Sequence, residues 1–228
     1  MKLFSRTILL CASLLSATLW SLGANAQTIV GPAGQVAGPV ESPTICVGSK
    51  WRYQRTELAG PQKGSVTEDY INEVESVSGD LYHIVRTQLG GEVSRYSITK
   101  ARHGQGSAVG GSTGNGVLYD FPLSVGKKYE ALEYFVNKSG TLGSTKVSYE
   151  VSSLTPLTVG GKEYQTIKIV GRGWWTVPGF SGQVEDTMYY APEVGAYAQL
   201  FRKTGAFDSR VTNLVSYELK TNCSPSAK

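Results

Sequence analysis

Histidine is almost missing from this chain, and its scarcity removes a good deal of chemistry. His83 and His103 are the only two among 228 residues, and they fall in separate runs. A zinc-type site has few imidazoles to draw on. The string Gly110-Gly111-Ser112-Thr113-Gly114 has the Gly-x-Ser-x-Gly form of a nucleophile elbow. That elbow needs a strand-to-helix turn and a later histidine as base, and neither follows. Cysteine is scarce too, at three residues, and nothing has the alternating acidic spacing of a calcium loop. These gaps point to no metal and no cofactor. Blocks of like charge are absent, and the formal net charge is only +4, so a nucleic-acid partner is not expected. No segment after the first 26 residues keeps a 3.6-residue apolar period long enough for a helix. No repeat of fixed length is present.

The amino terminus has the parts of an export signal. Lys2 and Arg6 precede an apolar stretch over residues 8–20, and Ala24-Asn25-Ala26 has the small-x-small form of a cleavage site. The stretch is too short and too broken by serine for a membrane span, which needs about 20 apolar residues. Cys11 lies deep within it, without the small residues that precede a lipidated cysteine. Cleavage after Ala26 is expected, leaving 202 residues (228 − 26) as a soluble periplasmic or secreted protein that does not span the membrane. Without the signal, 20 basic and 18 acidic residues remain, for a net charge of +2.

Export changes the meaning of the other two cysteines. Cys46 and Cys223 bracket nearly all the remaining chain, and an even pair in an oxidising compartment reads as a disulfide. Residues 27–44, rich in glycine and proline, read as a flexible arm. A single all-β domain is expected over 45–224, with a short tail at 225–228.

The body of the chain is a series of short runs rich in valine, isoleucine, threonine and tyrosine, divided by glycine-containing turns. The runs cover approximately 50–57, 65–77, 80–89, 92–101, 117–121, 127–137, 145–153, 163–175, 184–191, 196–203 and 210–220. Their connections are too short for parallel crossovers, so neighbours should pair antiparallel. Residues 104–116, with six glycines in thirteen positions, read as a flexible loop.

Parity assigns faces to these runs. A four-residue turn over Pro192–Gly195 sets Tyr190 opposite Tyr197. Strict alternation then puts Tyr190, Met188 and Val184 with Tyr197 and Phe201 on one face, and Tyr189 with Ala198 and Leu200 on the other. Ile167, Ile169 and Trp175 point one way, while Lys168, Val170, Arg172 and Trp174 point the other, unless Gly171 or Gly173 marks a bulge. Apolar side chains thus appear on both faces. The expected fold is all-β, a strongly curved antiparallel meander sheet forming a half-barrel or closed barrel.

The second half, through Gly161, Tyr164, Thr166, Lys168, Ile169, Tyr190, Pro192, Val194 and Gly195, resembles a group of bacterial exported proteins of unknown function. Their curved β-sheet is related to the lipoprotein-localisation half-barrel. The resemblance implies a fold and carries no active site.

Together these readings lead to a non-enzymatic binder of an apolar or amphipathic ligand, an acyl chain among the candidates, on the concave side of the sheet. Trp174, Tyr189, Tyr190, Tyr197 and Phe201 are the candidate contacts, and no catalytic residue is assigned. The main alternative is a cell-envelope module that binds a protein or glycan through an exposed aromatic face. Two lesser alternatives are a hydrolase using Asp69, Glu73 and Glu75, which share strand parity, and an outer-membrane β-barrel.

Overall fold

A computed structural model of the protein describes residues 38–99, 113–115, 118–136, 140–205, 208–221 and 223. These residues form eleven strands: β1 (Lys50–Glu57), β2 (Val66–Ser78), β3 (Leu81–Gln88), β4 (Val93–Thr99), β5 (Thr113–Asn115), β6 (Lys128–Val136), β7 (Leu142–Val159), β8 (Lys162–Val177), β9 (Phe180–Ala191), β10 (Ala196–Thr204) and β11 (Asp208–Glu218). All lie in one antiparallel sheet of order β4-β3-β2-β1-β11-β10-β9-β8-β7-β6-β5. Every pairing joins consecutive strands except β1 with β11, which brings the two ends of the domain together. The sheet is not closed, and β4 and β5 are its edges. Its outward side carries ion pairs such as Lys50–Glu73, Arg95–Glu75, Lys128–Glu150 and Lys146–Glu130. Among the described residues the sheet thus has open edges and a charged exterior, whereas a lipid-facing barrel has a closed sheet and an apolar outer band.

Most expected strands are present, with shifted ends. Of the run expected at 117–121, the described residues 118–121 are not a strand, and Tyr119, Phe121 and Leu123 instead pack into the core. The short β5 lies inside the glycine-rich segment expected to be a loop; the rest of 104–116, with Ser112, falls outside the described residues. So do the export signal and residues 27–37. The remainder of the expected arm is docked, because Val40 forms a β-bridge with Leu123 and both are buried. An apolar residue that can cover the core is held there whatever the surrounding proline and glycine content.

β8 is unbroken along β9, from Ile167 opposite Tyr190 to Val177 opposite Phe180. Ile167, Ile169 and Trp175 therefore do face the core, and Trp174 faces out. Gly171 and Gly173 are not bulges but points of close approach. A Cβ on Gly173 would sit 1.9 Å from the Lys146 carbonyl oxygen, which is backbone and cannot step aside. Gly173→Ala is expected to cost about 1–3 kcal/mol by overpacking, read as a lower denaturation midpoint.

The β9–β10 hairpin departs from strict alternation. Tyr190 does face Tyr197 across the turn, but a β-bulge at Ala198 shifts the register, so that Gln199 pairs with Tyr189 and Leu200 with Met188. The bulge moves Leu200 to the concave face and puts Phe201, opposite Thr187, on the convex one. The parity assignment of Phe201 and Leu200 is thus reversed, because one extra residue flips every later side chain.

The core has two parts. One is built on β6–β9 around Val147, Ile169, Met188 and Tyr190, and the other on β1–β3 around Trp51, Tyr53, Tyr70 and Ile84. Tyr197 packs against both. A space is left between them on the concave side of the sheet.

Candidate functional site

A cavity of about 420 Å³ lies on the concave side of the sheet. Its walls come from β1–β4 on one side and β6, β7, β10 and β11 on the other, so the sheet wraps round it. Alternation supplies the lining: Trp51, Tyr53 and Arg55 are every second residue of β1, while Arg52 and Gln54 between them point outward to Asp69.

Tyrosine dominates the wall. The Tyr53 ring lies 4.7 Å from Tyr197 and 5.7 Å from Tyr70, and the Tyr53 hydroxyl donates to the Tyr197 carbonyl at 3.1 Å. Burial pushes the Tyr53, Tyr119 and Tyr197 hydroxyls well above the ordinary tyrosine range, with neighbouring tyrosines adding to the effect. These groups stay protonated at physiological pH and offer a neutral surface that is neither fully apolar nor ionic.

Three arginines also line the cavity, and they differ in their partners. Arg202 is bidentate to Asp186, with both contacts at 2.7 Å, and Tyr149 donates to the same carboxylate at 2.8 Å. That pair raises Arg202 above its ordinary range against the opposing effect of burial. Arg55 pairs with Glu68. Among the described residues Arg86 makes no ion pair. Its Nε donates to Asn72 Oδ1 at 3.0 Å, and its guanidinium carbon lies 4.2 Å from the centre of the Tyr70 ring.

The five candidate contacts are not brought together. Tyr197 lines the cavity. Tyr190 is fully buried behind it, edge-on to Tyr119 at 4.9 Å and Phe121 at 5.5 Å. Tyr189 and Phe201 are half-buried on the convex face, and Trp174 is 54% exposed there. Sequence reasoning missed Trp51, Tyr53, Tyr70, Tyr96 and Arg86. The alternation of Trp51 and Tyr53 is a signal that could have found two of them.

Asp69, Glu73 and Glu75 lie on the convex face, each beside a base. Hydrogen bonds from Arg52 hold Asp69 below the usual carboxylate range, and those from Arg95 do the same for Glu75. Glu73 pairs with Lys50 at 3.0 Å. A catalytic acid in a cleft needs the opposite shift.

No protein-family model and no curated sequence matches the chain. Solved structures do. One is a protein of Bacteroides fragilis described as exported and as having a YmcC-like fold; it is 10% identical, covers 79% of this chain and all of its own, and has a TM-score of 0.55. Another, from Parabacteroides distasonis and described as a lipoprotein, is also 10% identical, covers 80% of this chain and all of its own, with a TM-score of 0.54. The hypothetical lipoprotein YmcC of Escherichia coli is 9% identical over 74% of this chain and 84% of its own, with a TM-score of 0.43. At such identities the likeness concerns the fold alone, and it is to the YmcC-like fold.

Proposed function

We propose that the protein is an exported, non-enzymatic binding protein that holds an apolar or amphipathic ligand, an acyl chain foremost, on the concave side of its sheet. The observation that carries this reading is the cavity of about 420 Å³, walled by aromatic and aliphatic side chains with a few polar groups. That volume falls in the range of about 300–1,000 Å³ usual for small-molecule sites. Export rests on the signal-like amino terminus and accords with the exported and lipoprotein descriptions of the two likenesses above. The location is then the periplasm or the exterior. Kinship with the lipoprotein-localisation half-barrel belongs to the same proposal, since an open curved sheet around an apolar hollow has that form.

The test uses a neutral apolar dye, Nile red. The purified protein should bind it saturably, and native mass spectrometry of protein from its own compartment should find a bound small molecule. Thr145 lines the cavity and is half-buried, so Thr145→Trp should fill it and weaken dye binding about tenfold or more. Absence of dye binding together with an empty native protein would overturn the reading.

A second reading is favoured by one observation. Trp174 at 54% and Leu142 at 60% are exposed on the convex face of the neighbouring strands β8 and β7, toward one end of the sheet. A protein or glycan partner in the envelope would meet this surface. In that case Trp174→Ala removes partner binding and leaves dye binding unchanged.

A further inference from the structure

Arg86, which makes no ion pair among the described residues, lies in a graded part of the cavity wall. Backbone pairing places Trp51, Asn72, Arg86 and Ser94 side by side across β1, β2, β3 and β4, and all four line the cavity. The next inward-facing row along the same strands is Val74, Ile84 and Tyr96, and the row beyond it is Val77, Tyr82 and Ile98. One polar row is therefore followed by two apolar or amphipathic ones, within the span of a short alkyl chain at about 7 Å per row.

Asn72 is itself buried, and it uses its carbonyl oxygen to hold Arg86 Nε. The Tyr70 and Tyr96 rings lie against the guanidinium, with its carbon 4.2 Å and 5.4 Å from their centres. These contacts fix the plane of the group, and among the described residues no carboxylate pairs with its Nη donors. Arginine does not give up its proton, so the row carries a permanent positive charge. The other cavity arginines are already neutralised by Asp186 and Glu68, and the Glu133 carboxylate in the lining acts on Arg202.

We propose that the ligand is an amphiphile with an anionic oxygen headgroup, seated on Arg86 beside Ser94 and Asn72, with its alkyl chain along Ile84, Tyr96 and Ile98. This rests on the cavity reading and adds the head chemistry to it. A charge-assisted, planar pairing at a half-buried arginine is directional, and it discriminates against a neutral head of equal size.

The experiment compares dodecanoate, 1-dodecanol and dodecylamine, each below its micelle concentration, as competitors of Nile red on the full mature protein. Dodecanoate should bind about tenfold to a hundredfold more tightly than dodecanol, as charged hydrogen bonds allow, and dodecylamine should bind worst. In Arg86→Met, which keeps the apolar stem, the dodecanoate preference should vanish while dodecanol affinity stays. The wild type supplies a control independent of that variant's folding. The preference should disappear on acidification through the ligand's own carboxyl pKa, because the arginine remains charged. Dodecyl phosphate in place of dodecanoate tells whether a phosphate or a carboxylate head is preferred, and tighter binding of either than of dodecanol supports the assignment. Equal affinity of the wild type for dodecanol and for both anionic competitors overturns the headgroup and leaves the cavity reading standing. No displacement by any of them, with no dye binding, overturns both.

Discussion

Asp186→Ala is expected to lower folding stability by about 3–5 kcal/mol. The carboxylate has no solvent exposure and sits on β9 directly opposite Arg202 of β10. It accepts two hydrogen bonds from that guanidinium and one from the Tyr149 hydroxyl. Truncation leaves Arg202 charged beside a cavity with its donors unmet, because the arginine is held above its ordinary range while Asp186 is present and has no means of becoming neutral without it. It also leaves the Tyr149 hydroxyl, buried and pushed well above the normal tyrosine range by burial first and Asp186 second, without its acceptor. Against a typical total of about 5–15 kcal/mol, such a loss decides whether the protein is folded at body temperature. Urea denaturation at constant slope is the measurement. The double variant Asp186→Leu/Arg202→Met should recover much of the loss, since an apolar pair of similar volume escapes the desolvation cost. A single-variant cost below about 1 kcal/mol, the value of an exposed pair, would show that water reaches the site.

The same pair marks the boundary of what could be read from the chain alone. Alternation in β1 and in the odd positions of β8 was readable, because a strand half-exposed to water must separate its polar and apolar residues. The Tyr190–Tyr197 pairing was readable too, because Pro192 and Gly195 define the turn. Phe201 was not. A single extra residue at Ala198 reverses everything after it, and nothing in "GAYAQLFRK" distinguishes a bulge from a regular strand. Asp186 and Arg202 show the same effect. Taken as alternating residues they look like surface charges, and only the bulge brings them to one face.

Tyrosine explains why the candidate contacts scattered. Its ring suits a core and its hydroxyl suits a wet surface, so abundance cannot say which side of the sheet a given residue takes. Tyr189 and Tyr190 are adjacent and lie on opposite faces. The residues that do meet, Tyr53, Tyr70, Tyr96 and Tyr197, come from four strands and converge only because the sheet curls. Arg86 gave no local signal either. "HIVRTQ" reads as a strand with an ordinary cation, and the place of Arg86 comes from Asn72 and Ser94 on the strands either side.

Loss of the Cys46–Cys223 bond has the other large expected effect. The two Cα atoms are 4.8 Å apart, and the bond closes a loop with a sequence separation of 177. Loop-closure entropy alone puts its contribution at roughly 5 kcal/mol, and measured losses of native bridges run at about 2–5 kcal/mol. Its position favours the upper part of that range. β1 and β11 form the one pairing in the sheet between strands distant in sequence, and the cysteines lie just before the first and just after the second. Every other neighbour can find its partner through a local connection, whereas this seam must recover the entropy of nearly the whole chain. The bridge leaves the unfolded chain with its ends already near each other. The double variant Cys46→Ser/Cys223→Ser should therefore lower the denaturation midpoint by an amount equivalent to several kcal/mol and steepen the slope, because the freed unfolded chain exposes more surface. The loss should appear in hydrogen exchange first along the β1–β11 ladder. It should also reach the cavity, since Ile45, next to Cys46, lines it and donates its backbone N–H to Tyr82 at 3.2 Å. If the midpoint stays within 1 kcal/mol of the oxidised protein while dye binding is kept, then the β1–β11 ladder and the buried Trp51–Val194 hydrogen bond at 2.9 Å hold the seam without help.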